Sequence, residues 1–138
     1  MTVAGHQKTT KLWWSTAPHR FDLFVSQLVV RECSEGDPEA ITDRLNSIDG
    51  IPVLPLTSDA ESLADALCRE HAIPGSHPND ALQIALAATH GVQYLVSWNF
   101  RHIVNASLRP AIEGICYAAE YDPPILCTPE ELLAIEHD

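Results

Sequence analysis

Residues 79–91, NDALQIALAATHG, form the segment that most limits how this chain can fold. Leu82, Ile84 and Leu86, with alanines at 81, 85, 87 and 88, leave no broad polar face. A helix that is apolar almost all round has to be covered on nearly every side. Gly91 is its expected C′ residue. The run QYLVS (93–97) follows, short and apolar like the strands that fill the middle of a sheet. A covered helix feeding a core strand is one unit of an α/β layer arrangement.

The same alternation runs through the rest of the chain. FDLFVS (21–26) reads as a strand, and QLVVRECSEG as a helix ended by Gly36. Asp37 and Pro38 open the next helix as N-cap and first helical residue, and it runs to about Ile48. IPVLPL is an extended piece confined by two prolines. Ser58-x-x-Glu61 is a capping box for the helix DAESLADALCREH. LRPAIEGICYAAE is mostly helical and PILC is a short strand. Thr128-Pro129-Glu130-Glu131 opens a last helix with both an N1 proline and a capping box. Residues 2–14 are weakly helical up to Pro18. The expected fold class is α/β, with a short, largely parallel sheet covered on both faces. A chain of 138 residues, 46% hydrophobic and without linker or repeat, is expected to be a single domain over 1–138.

The formal net charge of −11, from eight basic against nineteen acidic residues, argues against a general nucleic-acid coat. It is compatible with a metal-dependent nuclease, whose bound ion offsets clustered carboxylates. It also suits a basic protein partner. Cysteines at 33, 68, 116 and 127 form no CxxC pair and no zinc signature, so buried free thiols in a reducing cytoplasm are expected. No run approaches the roughly 18 apolar residues of a membrane span, and the N-terminus carries no signal-peptide pattern.

In open α/β sheets ligands bind beyond the C-terminal strand ends, here Ser26, Ser97 and the residues after them. Asp80 stands in the first turn of the covered helix, with Gln83 on the same side one step on. It is either a carboxylate capping its helix or a ligand at a site. Glu32, about a turn beyond the strand FDLFVS, is either a solvated acid beside Arg31 or a second site carboxylate. Ser97 and Asn99 offer either turn chemistry or a site at the strand end. Arg101 and His102 follow them, at a phosphate or on the surface. His71, His77 and His90 show no metal-ligand spacing. Trp13 and Trp14 read either as an exposed interface pair or as core.

The stretch NDALQIALAATHGVQYLVSWNFRHIVNA closely resembles the core of bacterial PIN domains of the VapC toxin type. VVREC, GDPEA, GIPVLP and PPILCTPEELL resemble the same branch, so the likeness runs from about His6 onward. Residues 79–105 are its specific part. The resemblance implies a PIN-like three-layer α/β/α domain and a metal-dependent endoribonuclease. It also implies Mg²⁺ or Mn²⁺ as cofactor, an RNA substrate, an antitoxin partner and a homodimer. Carried over by residue, Glu32, Asp80 and Asn99 are the implied metal ligands, with Ser97 beside them. Gln83 stands where the branch often has His. Asn99 stands where many PIN domains have Asp, and an amide is a weaker ligand than a carboxylate. The family begins with a strand bearing an acid, and this chain starts at a point resembling the helix that follows it. A sheet lacking its first strand is therefore expected. The alternative is a PIN-fold protein without catalysis that acts through an antitoxin or self-association. An unrelated α/β phosphohydrolase would need a nucleophilic Asp at a strand end, and none is evident.

Overall fold

Proline and hydroxyl residues set most element boundaries in the computed structural model, which describes residues 12–134. Helix α1 is described over residues 12–16 and passes into a 3-10 turn at Ala17–His19. Residues 2–11 of the helix predicted there lie outside the described residues. Next come β1 (Val25–Ser26), α2 (Gln27–Cys33), α3 (Pro38–Ser47), β2 (Val53–Leu54), α4 (Ser58–Arg69) and α5 (Pro78–Thr89). The chain ends with β3 (Tyr94–Val96), α6 (Arg109–Ala118), β4 (Ile125–Cys127) and α7 (Pro129–Ala134). The α/β class is as expected.

The caps follow side-chain chemistry. Ser26 Oγ accepts from Val29 N–H at 3.0 Å, and an Asp37 carboxylate oxygen accepts from Ala40 N–H at 3.3 Å. At α7 the capping box is reciprocal. Thr128 Oγ1 accepts from Glu131 N–H at 3.1 Å, and a Glu131 carboxylate oxygen accepts from Thr128 N–H at 3.0 Å. At α4 the cap is Thr57 rather than Ser58. Thr57 keeps extended backbone (φ −111°, ψ 163°), and its hydroxyl accepts from Ala60 N–H at 3.2 Å. Ser58 is already the first helical residue.

The predicted single sheet is divided. β1 pairs in parallel with β2, and β3 pairs in parallel with β4 in the register Tyr94↔Ile125, Leu95↔Leu126, Val96↔Cys127. Among the described residues no ladder joins the two pairs. Of the strand predicted over 21–26, only Val25–Ser26 enters a ladder. The cause lies partly in β2, which stands between Pro52 and Pro55, neither of which has an N–H to donate. Just past the ladder, the Gln27 side-chain oxygen accepts from Leu56 N–H at 2.9 Å. A groove of about 950 Å³ is lined by both β1 and β3, with Trp13 and Leu86 on its walls.

α4 and α5 pack together in the main core. Leu63, Ala64 and Leu67 share it with Ala81, Ile84, Ala85 and Ala88. The alanines let the two helix backbones approach closely, and Leu67 and Ile84 are fully buried. A second cluster holds Trp13, Ala17, Cys127 and Leu132, with Trp14, Tyr94 and Val96 against it. Trp13 is therefore core and Trp14 is half-buried, their rings edge to face with centroids 5.0 Å apart.

All four cysteines are free. Cys116 and Cys127 are buried as expected, and burial pushes both thiols up to about 11. Cys33 and Cys68 are only half-buried, which corrects the expectation for them. Among the described residues no helix is long and apolar enough to cross a membrane.

Candidate metal centre

Asp80 enters the site from the first turn of α5. Pro78 presets that turn, His77 is its N-cap residue, and the His77 carbonyl accepts from Asp80 N–H at 3.2 Å. No side chain caps this helix. The Asp80 carboxylate is instead turned across the fold. Oδ1 accepts from Asn99 Nδ2 at 3.1 Å, and Oδ2 accepts from His102 Nδ1 at 2.6 Å. The capping reading of Asp80 gives way to a tertiary one. A carboxylate has nothing to donate, so the His102 proton in this bond sits on Nδ1.

Asn99 organises the turn that brings His102 there. Ser97 Oγ accepts from Asn99 N–H at 3.0 Å, and Ser97 N–H donates to the Cys127 carbonyl at 2.9 Å. Asn99 Oδ1 then accepts from the N–H groups of Arg101 and His102, both at 3.1 Å. The Asn99 carbonyl accepts from Ile103 at 3.3 Å and from Val104 at 2.7 Å. Two backbone donors on Oδ1 fix the orientation of the amide, so Nδ2 must face Asp80. Asn99 thus shows the carboxylate a donor and holds it in place. Ser97 closes the start of the same turn.

His102 is buried, 5% exposed, which removes the surface reading for it. The neighbouring Arg101 is exposed. Ile103, 1% exposed, anchors the turn in the main core. Glu32 is exposed on α2, yet its carboxyl is raised above the usual range. Partial desolvation is the first cause, followed by the charges of Glu35 and Asp80. The influence of Asp80 puts the two acids within electrostatic reach of each other. Gln83 lines the groove beside the β-strands rather than the Asp80 cluster.

Sequence reasoning passed over His77. Its ring lies 4.6 Å from that of His102, centroid to centroid, at 47°. His77, Asp80 and His102 each offer a metal-ligating atom, and these atoms lie within 4.8 Å of one another. The spacing His77-x-x-Asp80 at the start of a helix was the available signal, since residues three apart share a face. His102 lies 22 residues from Asp80, and no local pattern joins them. His90 is accounted for structurally, because its Nε2 lies 2.9 Å from the Pro55 carbonyl.

The donor set fits a divalent cation. It combines a fixed carboxylate with two imidazoles, on a chain with a large negative charge. Comparison with protein-family models, with curated proteins and with solved structures found no match to this chain.

Proposed function

We propose that this chain is a metal-dependent endoribonuclease of the PIN, toxin–antitoxin type that hydrolyses RNA phosphodiester bonds with Mg²⁺ or Mn²⁺. The observation that carries the reading is the Asp80 carboxylate, held by Asn99 Nδ2 and His102 Nδ1 just beyond the C-terminal end of β3. That is where an α/β sheet usually binds its ligand. Glu32, whose carboxyl is raised by burial, by Glu35 and in the last place by Asp80, would supply a second acid from a separate element. The resemblance of residues 79–105 to PIN domains supports the same residues. A divalent ion bound there would activate water and offset phosphate charge. Asp80 and Glu32 would hold it, while Asn99 and Ser97 keep the turn and the carboxylate aligned. Exposed Arg101 on that turn would meet the RNA backbone. Free thiols agree with a cytoplasmic setting.

The test is hydrolysis of a labelled RNA by the purified chain. Cleavage should require Mg²⁺ or Mn²⁺, and Asp80→Ala should abolish it. An inert chain at millimolar concentrations of either ion would overturn the reading.

One observation favours a second reading, a PIN-fold protein without catalysis that acts through an antitoxin or self-association. The two strand pairs stand apart, and β1 and β3 both line the groove between them. An added strand would satisfy ladder groups along both edges and complete a central sheet. Native mass spectrometry separates the readings: a stable dimer or antitoxin complex that is inert towards RNA favours the second.

A further inference from the structure

We propose that His77, Asp80 and His102 together bind one borderline transition-metal ion, of the Zn²⁺, Co²⁺ or Ni²⁺ class, in preference to Mg²⁺. The proposal shares Asp80 with the preceding reading and changes which ion the site selects.

Three observations carry it. First, the three ligating atoms lie within 4.8 Å of one another. With bonds of about 2.1 Å, tetrahedral ligand atoms stand about 3.4 Å apart. Ligation through His102 Nδ1 would replace its hydrogen bond to Asp80 Oδ2 and release the proton between them. Second, two of the three groups are positioned by the fold. His102 hangs from a turn whose backbone N–H groups are held by Asn99, and Asp80 is held by the Asn99 amide. Third, His77 is not committed to structure. It occupies the N-cap of α5, but its side chain makes no cap hydrogen bond, and its half-buried ring rests against His102.

The chemistry then selects the ion. Imidazole nitrogen suits zinc, nickel and other later 3d metals, whereas Mg²⁺ demands oxygen ligands and keeps much of its water. Two imidazoles and one carboxylate give three protein ligands and leave a coordination position for water or a phosphate oxygen.

The experiment titrates metal-free protein with Co²⁺ and follows its visible absorption, which needs no enzymatic activity. One equivalent per chain should bind. Zn²⁺ should displace it, and a thousandfold excess of Mg²⁺ should not. His77→Ala and His102→Ala should each weaken Co²⁺ by at least about tenfold, while His19→Ala, exposed on the 3-10 turn, should leave it unchanged. Because His102 is buried, half-buried His77 carries the test if His102→Ala does not fold, with His77→Asn as a second variant. Equal Co²⁺ affinity in His77→Ala and the parent chain, or displacement by equimolar Mg²⁺, would overturn the proposal. RNA hydrolysis is scored separately. Cleavage with Mg²⁺ by a protein that ignores Co²⁺ sinks this inference alone. Co²⁺ binding by a protein inert towards RNA sinks the nuclease reading alone.

Discussion

Replacing Asn99 with Asp tests the logic of the site without emptying it. The introduced carboxylate keeps two acceptor oxygens, so it still serves the Arg101 and His102 N–H groups. What changes is the face towards Asp80, where a donor at 3.1 Å becomes a second negative oxygen. Two unit charges at that separation repel by about 5 kcal/mol at an effective dielectric of 20, and by about 1.3 kcal/mol in bulk water. Asp80 is 20% exposed, so the true value lies between these limits. Adding about 1 kcal/mol for the lost hydrogen bond, Asn99→Asp should destabilise the fold by about 3 kcal/mol. The assay is urea unfolding with EDTA present, so that no ion masks the repulsion. Asp80→Asn in the same chain restores a donor opposite the new acceptor. The double variant should recover at least about 2 kcal/mol relative to additivity. A coupling below about 0.5 kcal/mol would mean that Asn99 and Asp80 do not meet, and the account of the turn would fail.

Glu32→Gln should raise stability slightly, by less than about 1 kcal/mol after solvent screening, because it removes a carboxylate opposed by Glu35 and Asp80. The sign follows from the raised pKa: folding favours the protonated form, so the ionised group costs stability above that pKa, and thermal melts at pH 7 against pH 4 should show the gain fading as Glu32 protonates. Thr57→Ala should cost about 1 kcal/mol as a lost N-cap, and Ser58→Ala less than about 0.5 kcal/mol, measured by chemical denaturation. The buried thiols Cys116 and Cys127, raised to about 11 from 9.0, favour folding while protonated. Stability should therefore fall between pH 9 and 11, and a thiol reagent at pH 8 should label Cys33 and Cys68 well before these two. Leu67→Ala should cost about 2–5 kcal/mol, since Leu67 is fully buried between α4 and α5, and a smaller loss would mean that this helix pair is loosely packed.

Features decided within a few residues were legible before the structure. The Thr128–Glu131 box works across one turn, so four letters suffice to specify it. The covering of α5 followed from its alanines and leucines, since no other face was available to water. The cap of α4 was misplaced by one residue because Thr57 and Ser58 both carry hydroxyls. Only the backbone angle at Thr57 decides between them. Asp80 and Asn99 were both singled out, but their hydrogen bond depends on how a turn 19 residues away is folded. His102 was harder still. Beside Arg101 it reads as surface, and it is buried because Ile103 pins the turn to the core. The division of the sheet is a matter of long-range pairing, which periodicity alone does not reveal.

That division bears on where function can reside. The candidate centre and the groove share the main core through Leu86. Ala81, Ile84 and Ile103, which support Asp80 and His102, belong to the cluster built around α4 and α5. The β3 side of the groove rests on the other cluster, where Tyr94 and Val96 pack against Trp13, Ala17, Cys127 and Leu132. An event in the groove, such as a strand joining β1 or β3, would reach Asp80 by two routes: along α5 from Gln83, which lines the groove, and through Ser97, which also lines it and starts the Asn99 turn. Ser97 also holds that turn to β4 through the Cys127 carbonyl. Strand pairing that shifted β3 along β4 would move Ser97, then Asn99, and with it the amide that aligns Asp80. The residue that closes the turn is therefore one through which occupancy of the groove and geometry at the candidate centre would be coupled.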